Sequence, residues 1–191
     1  MKKALLVVLA LVLVAALSVG LTMAYLTSTT AVAENTFTTG DVEITLDEAK
    51  VTAMGVKDGD DRVTRNTYKL IPGHNYVKDP TVYVASDSEE CWVFVQVKNG
   101  IADFTQELDL NANLLAIDAT KGIYAYNTTL NAGEKIVVFT DFTVLGSADL
   151  NNVADDAAIT VQAYAVQADN FTTPQAAWAA APLAAWTTVT P

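Results

Sequence analysis

The sequence predicts an all-β protein, an antiparallel β-sandwich or jelly roll that carries one or two short helices. Two observations predict this class: apolar and polar residues alternate with period two in several segments, and turn signals rich in Gly, Asn and Asp separate those segments. Many short strands joined by such turns are typical of sandwiches and jelly rolls. The length of 191 residues fits one domain.

Alternation or apolar character carries the strand prediction in each segment. In residues 91–98, Cys91, Val93 and Val95 share one face, so we expect Val95 to lie in the core. Residues 135–145 are apolar on both faces for part of their length, which indicates a central strand. The predicted strands are 41–47, 91–98, 135–145 and 158–167, with shorter candidates at 67–71, 80–85 and 122–127.

Two helices and one acidic loop complete the predicted elements. One helix is expected near 103–116. The other has Thr173 as its N-cap and Pro174 at its first position, and it ends before Pro182. The acidic tract Asp58–Asp61 contains a glycine and predicts a solvated hairpin loop.

The N-terminus reads as a secretory signal peptide. Lys2 and Lys3 precede the uninterrupted apolar run 4–17, and small residues follow it. We predict cleavage between Ala24 and Tyr25, which divides the chain into a signal peptide (1–24), an N-terminal segment (25–39) and a β-sandwich domain (40–191). Export would make the signal peptidase a partner and limit membrane contact to the signal peptide before cleavage.

Two alternatives remain open at this end of the chain. Ala31-Val32-Ala33 is a better A-x-A string, although it lies far beyond the apolar run. The run from Ala4 to Leu26 is also long enough to serve as an uncleaved membrane anchor.

Composition narrows the function classes. A net charge of −11 argues against nucleic acid as a partner, because such proteins carry basic surfaces. A single Cys excludes an intramolecular disulfide framework. Because Cys91 lies on the apolar face of its predicted strand, we expect it to be buried rather than to cross-link two chains.

The sequence predicts no enzyme site, no cofactor and no metal. His74 is the only histidine and lies in a Pro-Gly turn, whereas a zinc peptidase needs several ligands and usually a glutamate base, as in H-E-x-x-H. The tract at Asp58–Asp61 lacks the spacing of a calcium-binding EF-hand loop. No G-x-S-x-G nucleophile motif is present.

Residues 25–39 are the candidate assembly segment. The apolar side chains Tyr25, Leu26, Val32 and Phe37 are spread among Thr, Ser and Ala, and Glu34 is the single charge. The segment could form the first strand of its own domain or add to the open edge of a neighbouring subunit. Head-to-tail addition that does not close produces filaments.

Three blocks of sequence resemble the TasA/camelysin family of bacterial exported proteins, which are processed by the signal peptidase SipW. The first is AYLTSTTAVAENTFTTGDVEITL (24–46), with its N-x-F-x-x-G string at Asn35–Gly40. The second is 70–97, with P-G-x-x-x-x-K-D-P-x-V at Pro72–Val82. The third is AYAVQADNF (163–171), followed by Trp178.

This resemblance implies a jelly-roll β-sandwich exported by Gram-positive bacteria as a fibre or accessory protein of the biofilm matrix. We therefore expect a secreted structural protein that associates with itself or with related matrix proteins. Camelysin brings a metallopeptidase label, so a cell-surface metallopeptidase is one alternative. A surface module that binds a glycan or a protein is the other.

Overall fold

A computed structural model describes residues 41–154 and 156–181. These residues form antiparallel β-sheets with one short α-helix, which confirms the all-β class. None of their helices combines the length and the apolarity needed to span a membrane. The elements are β1 (Ile44–Val51), β2 (Lys57–Val63), β3 (Asn75–Val77), β4 (Thr81–Val84), β5 (Cys91–Asn99), β6 (Leu114–Asp118), β7 (Ile123–Tyr126), β8 (Lys135–Val137), β9 (Asp141–Thr143), β10 (Ile159–Gln167) and α1 (Pro174–Ala180).

Three antiparallel sheets organise these strands. Their orders are β2-β1-β4-β8, β10-β5-β7-β6 and the pair β3-β9. The longest pairing joins β10 to β5, from Ile159 opposite Asn99 to Gln167 opposite Cys91. β10 therefore lies at one edge of its sheet, with β5 as its neighbour.

The main core contains side chains from both four-stranded sheets. Val93 and Val95 of β5 and Val82 of β4 are fully buried, so the predicted inner face of β5 and the burial of Val95 are confirmed. Cys91 is also buried, as predicted. Burial, with a contribution from the charge of Glu90, raises the pKa of the Cys91 thiol to about 11, which keeps it protonated and unreactive at neutral pH. The remaining buried members of this core are Val84, Leu130, Ile136, Val138 and Phe139.

The opposite face of β5 is covered by α1. Trp92 and Phe94 pack with Ala177 of the helix, and the Trp178 ring lies 5.1 Å from that of Phe94. The Thr173 side chain accepts a hydrogen bond from the Ala176 backbone amide, and a proline occupies the first turn, as the sequence predicted.

The predicted strand at 135–145 is wrong as one element. The chain forms β8 in one sheet and β9 in another, with residues 138–140 between them. Val138 and Phe139 are consecutive and both buried, at 0% and 2% exposure. The apolar character on both faces comes from this crossing between sheets rather than from a central strand.

Two further predictions are wrong. Residues 67–71 form no strand, because side-chain and loop contacts replace a strand ladder: the Lys69 carbonyl accepts a hydrogen bond from the Tyr76 hydroxyl. The helix near 103–116 is absent, and a short 3-10 turn (Ala102–Phe104) and β6 stand in that region. Leu108 and Leu110 pack against the core from irregular chain, so the apolar residues of this region are buried without a helix.

The acidic tract is solvated as predicted, but it is not a hairpin loop. Asp58, Asp60 and Asp61 are exposed on β2, and the turn of the β1–β2 hairpin lies before them. Gly59 has a φ of +77° within this strand, a conformation that glycine adopts without strain. The glycine therefore marks an irregularity of the strand rather than a turn between strands.

Candidate functional site

The candidate functional site is a groove between β1 and β10, which belong to different sheets. We call it the β1–β10 groove. Its volume is about 380 Å³, and none of the described residues that line it is charged. The lining residues are Ile44, Thr45, Leu46, Val161, Gln162, Ala163 and Tyr164.

The groove lies where two sheet edges are open. Within the described residues, β10 has a strand neighbour on one side only. β1 pairs with β2 from Glu48 onward, so its first half, Ile44–Asp47, pairs with β4 alone. An edge strand presents backbone N–H and C=O groups that can pair with a further strand. Both walls of the groove therefore offer hydrogen-bonding backbone beside apolar side chains.

Burial changes sharply from the inner rows of the core to the groove. On β5, Val95 is 0% exposed, whereas Ala163, directly opposite it on β10, is only half-buried. On the other sheet, Val82 is 0% exposed and its β1 partner Leu46 is half-buried. The core is thus closed in its inner rows and open along the groove.

Ion pairs fix the other end of β1. The Arg62 guanidinium on β2 lies 2.5 Å from Asp47 and 3.0 Å from Asp79. The Lys78 ammonium lies 2.5 Å from the carboxylate of Glu48, which is buried. These contacts hold β2 and the segment before β4 against β1, so the charged half of β1 is paired while its apolar half borders the groove.

His74, the histidine of the Pro-Gly turn, is half-buried. Its Nε2 lies 3.0 Å from the carbonyl oxygen of Met54, and its ring lies 4.6 Å from that of Tyr76. These contacts place it beside a second apolar cluster built on Tyr76 and Phe142. The histidine therefore connects the β1–β2 hairpin turn to β3.

Two of the three acidic side chains of β2 pair with nearby lysines. Asp58 lies 3.3 Å from Lys50, and Asp60 lies 3.3 Å from Lys57. Between residues 41 and 181, leaving aside position 155, no three His, Cys, Asp or Glu side chains are grouped as metal ligands would be. Asp58 and Asp60 therefore form surface ion pairs with lysines.

The predicted processing and assembly residues lie outside the described residues. These are Ala24, Tyr25, Leu26, Val32 and Phe37. The structure instead contributes a surface that could receive such a segment, which sequence reasoning missed. Alternation predicted the strands 41–47 and 158–167, to which the groove residues Ile44, Leu46, Val161 and Ala163 belong, as two separate elements. Their meeting at one groove depends on long-range topology, for which the sequence carries no local signal.

No family model, no curated protein and no solved structure matches this chain. The resemblance to the TasA/camelysin family therefore stands on the three sequence blocks, and family membership is a proposal.

Proposed function

We propose that this protein is a secreted structural subunit of an extracellular fibre, and that its β1–β10 groove accepts a strand from the next subunit. The observation that carries the proposal is the opening of an apolar core between two sheet edges. Strand addition draws affinity from main-chain hydrogen bonds and specificity from pockets for alternate side chains. The groove offers both kinds of contact.

The proposed donor is the segment 25–39 of a second copy. An extended strand rises roughly 3.3 Å per residue, so this segment can reach along the whole of β10. One copy would give its segment and receive another at a different surface. Such a contact is head-to-tail and extends into a filament unless the rotation between subunits closes a ring.

The fold and the export route belong to the same proposal. We assign the two four-stranded sheets to a jelly-roll sandwich. This assignment is supported by the single core to which both sheets contribute side chains. Export would release Tyr25 as the new N-terminus and make the donor segment available. N-terminal sequencing of secreted protein tests this step, and a chain that begins at Glu34 would contradict it, because most of the donor would be lost.

The assembly step is tested with two matched aspartate variants of the whole chain. Burying a large apolar side chain is worth roughly 1.5–3 kcal/mol, and Phe37→Asp would remove that contact and add a charge. We expect Phe37→Asp to prevent polymerisation, as followed by sedimentation and electron microscopy. Thr36→Asp adds the same charge at a neighbouring position that points the other way in a strand, and it should still polymerise.

The circular dichroism of the monomer separates the remaining outcomes. A Phe37→Asp monomer with an unchanged β-rich spectrum supports exchange between subunits. An unfolded monomer would show that the segment is a strand of its own domain. Fibres of normal appearance from Phe37→Asp would show that assembly does not use this segment.

A further inference from the structure

We infer that Ala163 of β10 forms the seat for one large side chain of the donor strand, and that Phe37 occupies it. The inference rests on the proposed function and adds the acceptor residue that would determine which strand fits. It follows from the sizes and the burial of the side chains on the two walls of the groove.

The two walls of the groove differ in bulk. On the β1 side the core-facing residues are Ile44 and Leu46, which are large. On the β10 side the core-facing lining residues are Val161 and Ala163, and the next core-facing residue after Ala163 is Ala165. Their partners on β5, Val95 and Val93, are fully buried. Ala163 is therefore the smallest residue that lines the groove, and it lies next to a closed apolar row.

The period of a strand selects which donor face enters the groove. Residues of odd number place Tyr25, Ala31, Ala33 and Phe37 on one face. Residues of even number place Leu26 and Val32 on the other face, together with Glu34. Because none of the described lining residues is a cation, the face with Glu34 would bury an uncompensated carboxylate. The odd face is therefore the inserted one, and its large side chains are Tyr25 and Phe37. We assign Phe37 to the seat, because the hydroxyl of a buried tyrosine needs a hydrogen-bond partner and the phenylalanine ring needs none.

The test is a size exchange in the whole chain. Ala163→Leu fills the seat and Phe37→Ala removes the side chain that would occupy it. We expect each single variant to raise the protein concentration needed for assembly by tenfold or more. The double variant should recover at least half of that change on a logarithmic scale, because the leucine then fills the space left by the phenylalanine. Thr160→Leu is the matched control, since this residue is exposed on the opposite face of β10.

The outcomes separate this inference from the proposed function. Assembly of Ala163→Leu at the same concentration as Thr160→Leu would overturn the seat and leave strand exchange to the Phe37→Asp experiment. Loss of assembly in both single variants without recovery in the double variant would overturn the pairing of Phe37 with Ala163. If Phe37→Asp itself assembles normally, the proposed function fails, and the seat fails with it.

A second measurement applies if Ala163→Leu does not fold. Chains with Phe37→Cys are mixed with chains that carry Ala163→Cys, and the mixture is assembled and oxidised. We expect a covalent dimer, because the two side chains would be in contact across the interface. Thr36→Cys in place of Phe37→Cys should give several-fold less. Equal yields from the two donors would overturn the assignment of Phe37 to the seat.

Discussion

The two halves of β1 lie beside sheet edges of opposite character. One edge is suited to pairing with a further strand, and the other is not. Its first half borders the β1–β10 groove, whose lining among the described residues carries no charge. Its second half pairs with β2, an edge strand whose residues Lys57–Asp61 are all exposed and which contains three aspartates. Charged side chains and local irregularity on an edge strand discourage the addition of another strand.

The difference between these two edges predicts which of them pairs with a strand from another copy. β2 has Gly59 at positive φ and charged residues around it, so it is a poor template for a further strand. Leu46 and Ala163 in the groove are half-buried. A strand added between β1 and β10 would remove their remaining apolar surface from water. Strand addition should therefore occur at the groove and not at β2.

The largest expected loss of stability comes from placing a charge among the fully buried residues of β5 behind the groove. Val95→Asp places a carboxylate at a site that is 0% exposed, which should cost several kcal/mol of unfolding free energy or force protonation of the side chain. Urea unfolding measures the loss. Val56→Asp is the control, because Val56 is 60% exposed and the change should stay within about 0.5 kcal/mol. Unchanged stability in Val95→Asp would contradict the burial of Val95 in the main core.

The next effect concerns the charged half of β1. Lys78→Met leaves Glu48 buried without its cation, and breaking a buried pair in this way typically costs about 3–5 kcal/mol. Urea unfolding at neutral pH measures it. Lys57→Met is the matched control: this lysine pairs with Asp60 at an exposed site, and its loss should change stability little.

A double variant tests whether the stability lost in Lys78→Met comes from the uncompensated charge of Glu48. Glu48→Leu combined with Lys78→Met should recover much of the stability, because an apolar pair removes the uncompensated charge. Equal losses in Lys78→Met and Lys57→Met would show that the ion pair does not hold the β2 side of β1 in place.

The smallest effect on stability is expected from removing the exposed charges of β2. This change tests whether those charges prevent the edge from pairing with another strand. Replacing Asp58, Asp60 and Asp61 together with threonine removes exposed charges and should leave the unfolding midpoint nearly unchanged. Threonine suits a strand, so the edge should become competent for pairing. The triple variant is made in the Phe37→Asp background, which should not polymerise through the groove. Light scattering should then report concentration-dependent association that Phe37→Asp alone lacks. A triple variant as monodisperse as Phe37→Asp alone would remove the charge-based explanation of the comparison.

The sequence predicted those parts of the fold that local patterns determine. The faces of β5 and β10 and the cap of α1 follow from alternation and from Thr173 with Pro174, which act within a few residues. The break between β8 and β9 did not follow, because Val138 and Phe139 are buried in succession where the chain leaves one sheet. The groove did not follow either, since an open edge is defined by which strands pair, and pairing joins residues far apart in sequence.

Amide hydrogen exchange on wild-type monomer and on assembled protein tests the central claim most directly. Peptides that cover β10 (Ile159–Gln167) and β2 (Lys57–Val63) are compared in the two states. The account predicts that some β10 amides exchange about tenfold or more slowly after assembly, because a donor strand pairs with the open edge, while β2 amides are unchanged. Slower exchange in β2, or in neither strand, would contradict it.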